Sequence, residues 1–341
     1  IARDLPELDL DDGQEPSAEA LGDLAAAAED AALAQPRITN SEGAEASGSR
    51  SRTTLVASNG FVGSTARSSH SLSAAVVASA NGAMERDYDF ATVIRAKNLP
   101  DPAELGRRAA ERAARRLNPR KVRSQSVPVV LDPRIAGGIV RHLASAISGP
   151  AVARGTTFLK DKLGERIFPP GVTIVDQPLR PDGLRSRAFD AEGIAAAPRK
   201  LIDDGVLTTW LLDCAAARQL RLETTGHAAR GVSSPPAPAP SNAWLEPGAN
   251  TAEDLISDIK EGIYVVEMLG MGINYVTGDY SRGAAGFWIQ DGVLDWPVSE
   301  ITIAGNLTEM FQHLTPADDL EFRYGIDAPT LRIDGMTVAG Q

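Results

Sequence analysis

The chain has 341 residues, with 34 Lys and Arg against 45 Asp and Glu and a formal net charge of −11. That length is enough for two domains with a sizeable core, and the acidic balance argues against a dedicated nucleic-acid binder, which would carry a basic surplus. A single cysteine, Cys214, excludes an internal disulfide framework and CxxC zinc sites, and no apolar run approaches the roughly 20 residues of a membrane span. With no signal-peptide pattern at the start, the expectation is a cytoplasmic protein that does not engage the membrane.

Residues 1–16 are acidic (Asp4, Glu7, Asp9, Asp11, Asp12, Glu15) and lack an apolar period, a composition that suits a disordered lead-in. Ser17 is placed to cap an alanine-rich helix to about Leu33, with Leu21, Leu24 and Ala28 on one face. Residues 52–58 read as a strand ending at the turn signal Asn59-Gly60. Residues 72–80 and 87–95 follow as strands around Asn81-Gly82, so an antiparallel meander is expected. The stretch 101–117 is helical, with Leu105, Ala109, Ala113 and Leu117 spaced by four. Its arginines, from Arg107 to Arg116, are interleaved with Glu104 and Glu111, which reads as a solvated helix face and not a nucleic-acid surface.

A boundary falls between Arg120 and Pro128, giving an N-terminal α/β domain over 1–123 and a C-terminal β-rich domain with packed helices over 124–341. The fold class is therefore α+β with two domains. Residues 127–131 (VPVVL) read as a buried strand, and Asp132 starts a helix to about Ser148. A mobile connection is expected over 149–161, then a strand at 172–175 and a hairpin over 201–210 turned at Asp204-Gly205. A helix is expected over 215–220. Residues 226–248, with five prolines, are expected to be extended and irregular. Thr251 caps a short helix over 252–259.

The stretch 261–314 organises the chain. It holds β-prone runs at 264–266, 287–289 and 300–304, and Asp291-Gly292 lies between apolar runs as a hairpin signal. Glycines 270, 272, 278, 283 and 286 supply positive φ or close backbone approach. After Asn306 the pattern Leu307, Met310, Phe311, Leu314 is a helical stripe.

The four histidines, His70, His142, His227 and His313, are scattered, and none lies in HExxH or HExxxH. His142, beside Arg141, reads either as a general base or as an ordinary residue of a packed helix. Cys214 and His227 form the only Cys/His couple, but Cys214 stands at an apolar helix start, where a buried inert thiol is the plainer reading. His227, Arg230, Ser281 and Arg282 lie beside glycine-rich backbone. They form a candidate substrate cleft in which an extended peptide could add to a sheet edge. The alternative is that those glycines serve turns and the arginines cap carbonyls.

EMLGMGINYVTGDYSRGAAGFWI followed by PVSEITIAGNL resembles the C-terminal domain of the TldD/PmbA proteins, specifically the PmbA (TldE) branch. The resemblance extends through DLPELDL, RITNSEG, MERDYDF, FLKDKLG and APTLRIDGMTVAG. It implies a further N-terminal segment of about a hundred residues before Ile1. The TldD branch resembles peptidases with HExxxH on the helix that begins here at Asp132, in which two histidines hold zinc and the glutamate activates water. In this chain the two histidine positions are Arg141 and Ala146 and the glutamate position is His142, and no late cysteine follows Leu320. The resemblance thus implies a subunit with no metal or other cofactor of its own and no catalytic residues. Zinc would come from a TldD-type partner, and the pair would degrade unfolded peptides or trim modified precursor peptides. A homomeric peptide-binding module (a homodimer in isolation), a metal-independent hydrolase, and a metallopeptidase with unconventional ligands remain as alternatives.

Overall fold

The computed structural model describes residues 1–341, which form an α+β protein of two domains. The first residues are not a loose lead-in. Leu10 is buried, Ser68 N donates to Leu10 O at 2.9 Å, and Asp12 accepts from Ala96 N at 2.8 Å. Arg50 clamps Asp11 and Glu15 at 2.8 and 2.9 Å. The acidic pattern that suggested disorder instead supplies acceptors that tie this segment to the sheet beneath it.

Helix α1 (Ala18–Leu33) starts at Ser17, whose hydroxyl accepts from Ala20 N. Strands β1 (Ile38–Val56), β2 (Val62–Ala80) and β3 (Ala83–Val93) form the expected antiparallel meander, with β1 and β2 each far longer than their apolar patterns suggest. Asn81 and Gly82 take φ of 53° and 84°, the double left-handed turn that an Asn-Gly pair permits. Helix α2 (Pro102–Arg115), capped by Asp101, lies beside α1 on one face of the meander. Alanines 28, 32, 109, 110 and 113 allow the close approach, and a Cβ on Gly106 would sit 2.0 Å from Ala28 O.

The arginine face of α2 is not simply solvated. Arg108 does pair with Glu104 at 2.8 Å, but Arg108 and Arg112 also grip Asp89 at 2.7 and 2.8 Å. Arg116 reaches Glu267 of the C-terminal domain. From that domain, Arg323 and Arg134 return to Asp89 and Asp87 at 2.9 and 2.8 Å. Two aspartates on alternate positions of β3 therefore organise the junction between the domains.

The C-terminal domain opens with β4 (Gln125–Leu131), α3 (Pro133–Ala146) and α4 (Gly149–Ala153). The segment after α3 is fixed: Thr157 and Leu159 are buried, and Thr157 Oγ1 donates to Ala146 O at 2.7 Å. Then come β5 (Ile174–Asp176), β6 (Arg199–Asp203), β7 (Val206–Leu207), α5 (Cys214–Leu220), β8 (Ala228–Ala229), β9 (Ala237–Pro238) and β10 (Ala243–Leu245). The proline-rich stretch is thus partly regular. Four of its prolines precede β10 and Pro247 follows it, so none removes an N–H from that strand, and β10 sits between β5 and β15 (Ile326–Asp327) in the sheet order β15-β10-β5-β6-β7.

The remaining elements are α6 (Ala252–Ser257), β11 (Glu261–Ile273), β12 (Asp279–Gln290), β13 (Val293–Asn306), α7 (Leu307–Gln312), β14 (Leu314–Pro316) and β16 (Leu331–Ala339). A six-stranded sheet runs β13-β12-β11-β4-β16-β14, and β13 also pairs with β16 between Thr302 and Ala339. That extra pairing closes β4, β11, β12, β13 and β16 into a barrel with no free edge among those five strands. Asp291-Gly292 makes the β12–β13 turn with φ of 48° and 79°. Gly286 is required by proximity, since a Cβ there would fall 1.9 Å from Tyr264 O. One cluster of 44 buried residues joins the barrel, α3, α7 and the second sheet.

Candidate functional site

Helix α3 is set firmly on the barrel. Asp132 caps it by accepting from Arg134 N at 2.9 Å, Pro133 occupies the first turn, and Tyr264 Oη donates to the same carboxylate at 3.0 Å. Gly137 lets the helix approach Ile326 O, where a Cβ would come within 2.5 Å. Between α3 and the outer halves of β11 and β12 lies a cleft of about 360 Å³. Ile135, Ile139 and Met268 give it apolar walls, and Arg141, His142, Tyr275, Tyr280 and Arg282 bring polar atoms to it. Strand alternation explains part of this: Tyr280 and Arg282, two apart on β12, share a face. On β11 a break in register between Leu269 and Gly272, with Gly270 at φ 78°, turns Met271 to the mouth.

His142 is the centre of the cleft. Its Nδ1 lies 3.0 Å from Tyr275 Oη, and its ring meets Tyr280 edge-on at 5.8 Å. Burial, reinforced by the Arg282 and Arg141 guanidiniums, pulls the imidazole down to about 4. It is therefore neutral at neutral pH. Burial pushes the Tyr280 phenol up to about 12, and its hydroxyl rests 3.1 Å from Met268 Sδ. Arg134, at one end of the cleft, is committed to Asp87. Arg141 and Arg282 form no salt bridge, and Arg282 Nε makes only a long contact, 3.4 Å, to Leu269 O. The cleft thus presents a neutral imidazole beside two guanidiniums that form no salt bridge, with the Asp327 carboxylate acting on Arg141 from outside the cleft.

The structure joins residues from two sets that the sequence keeps apart. Arg141 and His142, at the degenerate motif positions, meet Arg282, which sequence reasoning assigned to a different cleft. Ala146, one turn further along α3, is fully buried and faces the core. The other candidates do not join this cleft. Ser281 alternates to the opposite face of β12 from Arg282. His227 is 2 % exposed, with Nδ1 2.8 Å from Thr225 Oγ1 and Nε2 3.6 Å from Asp176 Oδ1, so burial removes it from any open surface. Arg230 is exposed immediately after β8. Sequence reasoning missed Tyr275, Tyr280 and Met268, although the two-residue spacing of Tyr280 and Arg282 on one strand was a usable signal.

Neither hydrolytic alternative finds its geometry. Cys214 has its thiol pushed up to about 11 by burial and by Glu192, the reverse of an activated nucleophile. Ser241, Asp176 and His227 are neighbours, but Ser241 Oγ donates to the aspartate and all three are buried. A nucleophilic serine would need its proton directed to the imidazole.

A zinc site needs three protein ligands drawn from His, Cys, Asp and Glu, with one position open. No three such side chains are placed to share an ion anywhere in the chain. At the cleft itself the only one is His142, flanked by two guanidiniums. The residues present do not fit the metal.

Residues 124–340 match the PmbA/TldA metallopeptidase C-terminal domain, and residues 11–117 match the central domain of the same proteins. These matches define the class as two successive domains of metallopeptidase-related proteins. Over its full length the chain is 40% identical to the Metalloprotease PmbA of Escherichia coli O157:H7 and 36% identical to a PmbA homolog of Haemophilus influenzae, covering 74% of each. Among solved structures, a protein from Thermotoga maritima described as a candidate modulator of DNA gyrase superposes with a TM-score of 0.91. It is 25% identical over 99% of this chain and 78% of that one. TldE from Thermococcus kodakarensis shares the fold at a TM-score of 0.88 and 23% identity, over 99% and 78% of the two chains. The chain belongs to the PmbA/TldD family, on its PmbA/TldE side.

Proposed function

We propose that this chain is the non-metal subunit of a heteromeric TldD/TldE-type metallopeptidase, in a cytoplasmic complex that degrades unfolded peptides or trims modified precursor peptides. In this reading it holds the substrate while a TldD-type partner supplies zinc and the hydrolytic step. The observation that carries the reading is the donor set of the cleft. Its lining has one imidazole, three guanidiniums and two phenols, and no carboxylate or thiol. Metal-assisted hydrolysis calls for anionic or imidazole ligands and a base to activate water. Cations and hydroxyls in an apolar trough suit instead the carbonyl and carboxylate groups of an extended peptide.

Partnership is supported by the surface beside the cleft. Leu269, Met271 and Val276, around the β11–β12 turn, are 59, 87 and 57 % exposed. Apolar side chains grouped in this way are a common mark of a covered face. The same face could pair two copies of this chain, which is the second reading: a homomeric peptide-binding module.

Cleavage of an unstructured peptide, assayed with this chain alone and after mixing with a TldD-type subunit, separates the readings. The expected result is no cleavage alone and chelator-sensitive cleavage in the mixture. Chelator-resistant cleavage by this chain alone would overturn the proposal. Formation of a homodimer that captures peptide but never joins the zinc subunit would favour the second reading.

A further inference from the structure

Most of the guanidiniums that pack around α3 are satisfied. Arg134 is bound to Asp87, and Arg323 to Asp89. Arg141 and Arg282, the two others that line the cleft, form no salt bridge, although Asp327 attracts Arg141 from outside the cleft and Arg185 repels it. Both add to burial in disfavouring the protonation of His142, and no carboxylate lines the cleft beside them. They stand on different elements, α3 and β12, held by the closed barrel. Two like charges converging on a cleft beside an apolar wall of Ile139 and Met268 carry an electrostatic cost that an anionic ligand would relieve. The imidazole between them is neutral and hydrogen-bonded to Tyr275 at 3.0 Å, so it adds no third charge and stays available as a polar partner.

We infer that Arg141 and Arg282 form an anion subsite that binds a peptide carboxylate, with the neighbouring apolar side chain of the peptide lying against Ile139 and Met268. This rests on the peptide-holding reading above and narrows it to a substrate class: peptides that present a carboxylate next to an apolar residue. The carboxylate has two sources, a free chain terminus or an Asp or Glu side chain, and both offer the same two oxygens to the guanidiniums. Arg282, planar and half-buried on a rigid strand, fixes orientation. Arg141, exposed at the mouth, contributes attraction at longer range.

The test is binding by fluorescence polarisation to the full chain alone, without a partner subunit, so that no catalysis is required. Three labelled hexapeptides are compared: one ending in leucine as the free acid, its C-terminal amide, and the amide with a glutamate beside the leucine. The free acid is expected to bind about tenfold more tightly than the plain amide, the fold-change of one charge-assisted hydrogen bond. Arg282→Gln and Arg141→Gln should each shrink that ratio toward one, and Arg282→Lys should restore part of it. Tight binding of the glutamate amide assigns the side-chain source, and weak binding assigns the terminus. Equal binding of all three peptides, or a ratio that survives both Gln variants, overturns the subsite while leaving peptide binding intact. No binding of any peptide overturns the peptide-holding reading and the subsite together. Thermal melts of each variant confirm that it is folded.

Discussion

In the N-terminal domain two helices rest on a three-stranded meander through small side chains, and its buried clusters hold only seven and four residues. The C-terminal domain buries one cluster of 44 residues, with Phe311 stacked on Phe168 at 4.6 Å and the sheet closed on itself. Alanine packing leaves little apolar area to bury per residue, so the first domain leans on specific ion pairs, many of which cross to the second. The barrel needs no such support. It can carry guanidiniums without salt-bridge partners in its cleft because its stability lies elsewhere. One region uses charge to hold structure, and the other leaves charge available for a ligand.

Four changes separate these two uses. Phe311→Ala should have the largest effect, about 3–5 kcal/mol, because it leaves a cavity in the large core where its ring stacks on Phe168. Urea denaturation followed by tryptophan fluorescence reads it, since all four tryptophans lie in the C-terminal domain. Asp89→Ala should cost about 3 kcal/mol by removing the carboxylate shared by Arg108, Arg112 and Arg323, of which only Arg108 keeps another, Glu104. Proteolysis of the N-terminal domain should report that loss before barrel fluorescence changes.

The third change works through pH. The His142 imidazole is held at about 4 when folded, against 6.5 when unfolded. Between those values the unfolded chain binds the extra proton, so stability falls as pH drops from about 6.5 to 4, by up to about 3 kcal/mol. His142→Gln should flatten the stability profile across that window. Asp89 responds with the same sign in a more acidic window. Burial raises its carboxyl, but Arg112, Arg108 and Arg323 outweigh burial and hold it below the usual value. Its contribution is therefore complete above the unfolded carboxylate pKa of 3.8 and is lost only as pH falls below that. The smallest effect is Tyr275→Phe, which removes one hydrogen bond to His142 and should cost about 1 kcal/mol in a thermal melt.

Much of the fold could be read from local chemistry. Asn81-Gly82, Asp204-Gly205 and Asp291-Gly292 each take two left-handed residues, as such pairs favour, and Asp132, Ser17 and Thr251 each cap the helix that follows. Long-range relations were harder to see. Strand β10 hides behind a run of prolines because three residues are too few to show a period. Acidic residues 9–15 look like solvent-facing sequence until Arg50, Arg95 and Ala96 N are brought to them by the meander.

The cleft shows the same limit. Arg141 and His142 are adjacent on a helix and Arg282 lies on β12, and only the pairing of β4 with β11 and of β11 with β12 brings them together. His227 misled because glycine-rich neighbours suggested an open surface. Gly226 instead packs the backbone closely, a Cβ there falling 2.8 Å from Ala195 O.

Zinc content and peptide binding measured on one sample of the purified chain test the central claim most directly. A cleft that holds peptide and no metal predicts saturable peptide binding after dialysis against zinc, with far less than one zinc ion retained per chain. Stoichiometric zinc that is lost in His142→Ala would contradict it.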